Sequence, residues 1–213
     1  MANNGKLFVF EGPDGSGKST LARRVVAHLV SKGMPCEYAS YPGHTPATLG
    51  KLVYELHHDP SRFELKSINA TSLQLLHIAA HIDSVEESLK PTLKSGRSVV
   101  LDRFWWSTWV YGLFGGANRE SIRKMLDIEL EHWNGIRPEC VFLTLGVEPG
   151  REKVSAKDFK RLADLYCELG CEERKNYRVE VVTGSPSLDS TFEKIVRVLD
   201  PISVSNKVGV DKR

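Results

Sequence analysis

Residues 12–19 read Gly-Pro-Asp-Gly-Ser-Gly-Lys-Ser, a lysine framed by glycines and followed by a hydroxyl. The spacing is that of GxxxxGK[ST], and the apolar run Leu7-Phe8-Val9-Phe10 before it and a helical pattern after it supply the strand–loop–helix setting the motif needs. Glycines let backbone N–H groups turn inward around a phosphate, the helix N-terminus adds partial positive charge, and the lysine neutralises β- and γ-oxygens. The loop is therefore a P-loop, with Gly12, Asp14, Gly15, Ser16, Gly17, Lys18, Ser19 and Thr20 predicted on ATP, Lys18 in a catalytic role and Ser19 on Mg²⁺. The plain alternative, a glycine-rich turn that binds nothing, does not account for motif and setting together.

The next residues with chemistry are Asp102 and Arg103, which follow the buried-strand pattern Ser98-Val-Val-Leu. A carboxylate at the carboxyl end of such a strand suits a magnesium ion facing the phosphate loop, and a guanidinium makes the planar contacts that spread charge during phosphoryl transfer. Asp102 is accordingly predicted at the metal and Arg103 as a catalytic phosphate clamp. Trp105, Trp106 and Trp109 crowd the same segment and fit either an aromatic pocket wall or packing at the sheet edge.

These groups need a scaffold, and the chain alternates extended and helical patterns from end to end, the signature of a parallel α/β sheet covered on both faces. Strands are predicted over 6–11, 35–41, 98–102, 140–145 and 177–182, and helices over 18–32, 67–94, 119–133, 157–169 and 188–199. The segment 146–157, between a strand and a helix, reads as a short mobile lid; one domain spans 1–200, and 201–213 reads as a frayed tail.

With 213 residues, 41% of them hydrophobic, one domain can bury a full core. A formal net charge of +2 implies neither a nucleic-acid nor a membrane surface, which leaves small molecules as the expected partners. Four cysteines with no CxxC pair, no signal-peptide pattern and no long apolar span predict a reducing cytoplasm.

Several motifs in order resemble the thymidylate kinase family. "FVFEGPDGSGKST" is similar to its P-loop, "YPGHTP" to its second-strand loop, "LLHIAAHIDSVEESLKP" to its acceptor helix, "LDRFWWSTWVYG" to its DR segment and "FKRLADLYCELG" to the helix after its lid. The likeness covers most of residues 6–199. It implies a P-loop NTPase fold with a five-stranded parallel core, ATP with Mg²⁺, transfer of the γ-phosphoryl group to dTMP or another nucleoside monophosphate, and a homodimer. Carried over by position, Asp14 matches the acid beside the acceptor's sugar and phosphate, and Tyr111 the tyrosine under the deoxyribose, though a tyrosine there also suits helix packing. Thr108 falls in the same acceptor segment. Family members with a glycine at the position of Gly15 supply a lid arginine, here Arg151, with Lys153 and Lys157 as substitutes.

The acceptor helix departs from the family pattern. His81 stands where the family carries a phosphate-gripping arginine and His77 where it stacks a phenylalanine on thymine; Ser40 and His44 likewise replace arginine or glycine. No arginine lies between Arg24 and Arg62. Spacing alone leaves His77 and His81 open as packed histidines, as a remodelled acceptor pocket or, lacking a third ligand, least of all as a metal pair. Because an acceptor without phosphate needs no such arginines, a nucleoside kinase stands as an alternative, as does a pseudokinase or nucleotide-dependent switch.

Overall fold

The computed structural model describes residues 4–146, 155–183 and 187–204. Five parallel strands, β1 (Leu7–Glu11), β2 (Cys36–Ser40), β3 (Ser98–Asp102), β4 (Pro138–Gly146) and β5 (Val179–Thr183), pair in the order β2-β3-β1-β4-β5. The helices are α1 (Lys18–Ser31), α2 (Leu49–His58), α3 (Ala70–Ser84), α4 (Lys90–Lys94), α5 (Trp105–Phe114), α6 (Arg119–His132), α7 (Ala156–Glu173) and α8 (Leu188–Val204). Every predicted strand forms, with ends displaced by two residues or fewer.

Strand alternation builds two cores. Leu7 and Val9 of β1, with Val141 and Leu143 of β4, point into a layer with Ile78, Trp106, Ile122 and Tyr166; Phe8, Phe10 and Phe142 point the other way, against Leu21, Val25 and Leu29 of α1 and Ile195 and Leu199 of α8. Sheet faces buried on both sides explain why the strands read as apolar runs rather than as alternating patterns. Trp106 has no exposed surface, Trp105 and Trp109 are 6% and 9% exposed, and all three belong to the first core. Packing is thus what the tryptophans do.

Three features differ from the expected elements. The helix predicted over 67–94 is α3 and α4 joined by a π-helical segment, Val85–Leu89, and starts only at the Asn69 cap, whose side chain accepts from the Thr71 N–H. Helices α2 and α5 have no counterpart in the expected series. The helix expected over 188–199 is α8, which runs on through Pro201 to Val204; residues 205–213 lie outside the described residues.

Register brings the chemistry to one edge. Phe10 of β1 and Ser40 of β2 both sit level with Asp102, so the loops leaving β1, β2 and β3 open on the same side, the carboxyl edge where open α/β sheets bind ligands.

Candidate active site

The P-loop is shaped by backbone conformations only glycine takes easily. Gly12, Gly15 and Gly17 have φ of 137°, 80° and 90°, and a Cβ on Gly12 would lie 1.9 Å from the Thr144 carbonyl oxygen. Gly17 caps α1 with no side-chain hydrogen bond and no acid in the first turn, which leaves the helix's positive end to a ligand. Lys18 is 5% exposed, its Nζ donating to the Pro13 carbonyl at 2.7 Å and lying 3.9 Å from Asp14 Oδ1. Burial, followed by the charge of Arg103, pushes its ammonium down to about 8. The Ser16 hydroxyl meets that of Thr144 at 2.9 Å, tying the loop to β4.

Glu11, the last residue of β1, is fully buried and organises the opposite wall. Its Oε1 accepts from the Phe104 and Ser107 N–H groups at 2.6 and 3.0 Å, and its Oε2 from the Ser107 hydroxyl at 2.8 Å, so a strand carboxylate caps the first turn of α5. Burial pushes the Glu11 carboxyl up, opposed by Arg103 and these hydrogen bonds. Arg103 precedes that turn in a left-handed conformation, φ 75°. Its Nη2 forms an ion pair with Asp14 and its Nη1 donates to Ser107 Oγ at 3.1 Å. Tyr111, two turns along α5, donates to Asp14 Oδ2 at 2.7 Å.

These walls enclose a cavity of about 340 Å³ that adjoins the P-loop. Asp14, His44, His77, His81, Arg103, Thr108 and Tyr111, every residue expected at the acceptor, line it, as do Ser19 and Asp102. Helix α3 therefore faces the pocket. It does not offer His77 and His81 as a chelating pair: His77 Nε2 meets His57 Nδ1 at 3.2 Å, His81 Nδ1 meets Glu129 at 3.0 Å, and among the described residues no group of three or more His, Cys, Asp or Glu converges as a metal set. Burial, followed by His81 and His57, holds His77 well below the ordinary imidazole range; burial and His58 lower His57, and burial and Lys51 lower His44.

Asp102 fits a metal role. Its Oδ2 accepts from the Tyr38 hydroxyl at 2.9 Å, while Oδ1 is buried without a protein partner. Arg151 and Lys153 lie outside the described residues, and Lys157 sits in the first turn of α7.

Several lining residues escape a reading by motif. His57 and His58 come from α2, Gln74 from α3, and Tyr38 from β2. Arg23, on α1 one turn beyond Ser19, also lines the cavity, its guanidinium 3.9 Å from the Tyr38 ring centroid. Its signal was the i, i+4 spacing from Ser19, which puts both on one helix face.

Residues 10–185 match the family model described as thymidylate kinase. A thymidylate kinase of Dinoroseobacter shibae is 36% identical over 165 residues, 74% of this chain and 75% of the relative, and one of Neorickettsia sennetsu is 29% identical over 206 residues, 97% and 88%. Thymidylate kinase structures from Ehrlichia chaffeensis and Candida albicans superpose with TM-scores of 0.70 and 0.71 at 21% identity, covering 92% and 93% of this chain and 98% and 92% of theirs. With the match spanning the P-loop, the Asp102–Arg103 edge and the helices that wall the cavity, the chain belongs to the thymidylate kinase family.

Proposed function

We propose that this protein transfers the γ-phosphoryl group of ATP to dTMP, giving dTDP and ADP. The observation that carries the reading is the contiguity of an uncapped, glycine-shaped P-loop with a cavity in which Asp14, Arg103 and Tyr111 are already joined. A phosphate oxygen of the acceptor, held beside Arg103, attacks the γ-phosphorus in line while ADP leaves. Lys18 and Arg103 neutralise the equatorial oxygens, so positioning and charge do the work without a covalent intermediate. Arg151 is the lid cation of this proposal.

Asp102 Oδ1 and Ser19 would hold the Mg²⁺ that accompanies ATP, and that ion supplies further neutralisation of the β- and γ-oxygens. Thr108 Oγ1, buried without a protein partner, is offered to the acceptor. Arg23 bears on the arginines missing from the second-strand loop and acceptor helix: α1 supplies a guanidinium to the cavity, and with Arg103 makes two. Arg23 and Arg103 together are what weighs against an acceptor without phosphate.

A homodimer belongs to the same proposal. Leu75 of α3 and Ile128 of α6, 50% and 53% exposed on neighbouring helices, are its candidate face. All four cysteines are free thiols and no helix among the described residues is long and apolar enough to cross a membrane, which accords with a cytoplasmic enzyme. The deciding experiment follows ADP and dTDP together with ATP and dTMP supplied: equal appearance of both supports the reading, and ADP without dTDP, or no acceptor dependence, refutes it.

A further inference from the structure

Two imidazoles from different helices meet nitrogen to nitrogen at the cavity wall. His57, in the last turn of α2, and His77, midway along α3, bring Nδ1 and Nε2 to 3.2 Å, with ring centroids 5.1 Å apart and planes 83° from parallel. Both rings line the cavity, and His57 is exposed while His77 is half-buried, which gives an ion a route in from solvent. At most one proton can lie between two nitrogens this close. When it moves to the other nitrogen of its own ring, both lone pairs face the gap and no proton leaves the protein.

A cation at the ordinary zinc–imidazole length of about 2.0–2.1 Å from each nitrogen would see the pair at an angle of about 100°, near that of a tetrahedron. Neutral imidazoles select borderline ions such as Zn²⁺ over Mg²⁺, which takes oxygen ligands. Among the described residues no set of three His, Cys, Asp or Glu converges, so the remaining tetrahedral positions fall to water. Arg103 repels a cation here, and Asp14 attracts it.

We propose that His57 and His77 form a two-nitrogen site for a borderline transition-metal ion, with Zn²⁺ as its type, whose water ligands occupy the cavity so that the ion and the acceptor nucleotide exclude one another. A cavity of about 340 Å³ is near the lower end for a small-molecule site and leaves no room for a hydrated ion beside a nucleotide. The exclusion rests on the dTMP reading above; the metal site stands without it.

The test uses the full chain without an added histidine tag and follows Zn²⁺ at micromolar concentration by competition with a chromophoric chelator, with Mg²⁺ in excess and ATP absent. The wild type should bind zinc, and His57→Phe and His77→Phe should each weaken that binding at least roughly tenfold while keeping a cooperative thermal transition. His58→Asn removes the neighbouring imidazole, whose Nδ1 already meets the Tyr54 carbonyl at 2.8 Å, and Cys171→Ser removes an exposed thiol; neither should change the affinity. Added dTMP should raise the apparent zinc Kd in proportion to its concentration. No zinc bound by the wild type, or zinc kept by both phenylalanine variants, means that the two rings share an ordinary hydrogen bond and overturns the site. A loss in His58→Asn or Cys171→Ser instead places the ion elsewhere and overturns it too. Because His57 is exposed, its variant decides even if His77→Phe does not fold. Zinc binding that dTMP leaves unchanged or strengthens, in a protein that turns dTMP over, overturns the exclusion; a protein that turns over no dTMP sinks the dTMP reading, and the variants alone then decide the metal site.

Discussion

Asp14 and Tyr111 are joined twice: the Tyr111 hydroxyl donates to Asp14 Oδ2 at 2.7 Å and accepts from the Asp14 backbone N–H at 3.0 Å. Both bonds run between the P-loop and α5, so the loop and the cavity wall are coupled at this ring of two bonds. Burial opposes ionisation of Asp14, yet Arg103, Lys18 and the Tyr111 hydroxyl together hold its carboxyl below the ordinary value.

Tyr111→Phe removes both bonds and keeps the ring. The variant should lose about 1.5–3 kcal/mol of transition-state stabilisation with dTMP, the worth of a hydrogen bond to a charged group, while KM for ATP changes little. Steady-state kinetics with each substrate varied in turn checks this; a loss confined to ATP binding would place the hydroxyl's role at the donor side.

Lys18→Ala should abolish phosphoryl transfer, with a loss of about 3 kcal/mol or more in the barrier for one charged contact. The lysine is buried against the Pro13 carbonyl rather than solvent-facing, but Arg103 still neutralises Asp14 in its absence, so the fold should survive. Circular dichroism alongside turnover separates the two effects: an active variant with a native spectrum would remove the lysine from the mechanism.

The strands and the P-loop were legible because each rests on a short local pattern: an apolar run, or glycines at fixed offsets from a lysine. Helix α5 was not, since "WWSTWVYGLF" is apolar nearly all round and shows no stripe: it is buried beneath α6 and α7, and its first turn is capped by Glu11, more than ninety residues earlier in the chain. Helix α2 was hidden by Gly50 near its start and two histidines at its end. Missing α2 meant missing His57, and with it the partner of His77. The His81–Glu129 contact spans 48 residues and two helix faces, neither of which marks the pairing by spacing.

Gly12→Ala tests the loop's geometry without touching charge. At φ 137° the backbone is strained for any L side chain, and the new methyl would sit 1.9 Å from a carbonyl oxygen of β4, which lies in the sheet and yields little. The variant should lose stability beyond the 0.5–3 kcal/mol of a typical substitution, about 3 kcal/mol or more, and lose ATP binding with it. Chemical denaturation and nucleotide titration read the two; a variant of native stability that binds ATP normally would mean the loop does not pack on Thr144.

The imidazoles of the cavity make stability depend on acid. His77 on α3 faces His57 and His58 of α2, His81 of its own helix and, across the cavity, Arg103; burial and these neighbours hold it well below its unfolded value of about 6.5, and His57 and His44 are lowered as well. A base with a depressed folded value binds fewer protons when folded, so its contribution is fully present above about pH 6.5 and is lost as pH falls toward the folded value. Each such group can contribute a slope of at most about 1.4 kcal/mol per pH unit, and the partial exposure of these rings reduces it. The melting temperature should therefore fall steadily from neutral pH down through pH 6 and 5, and more gently in His77→Phe, which fills the same space without titrating. Equal slopes in wild type and variant over that range would mean that His77 takes up its proton as readily folded as unfolded, and that the cavity around it is open to water.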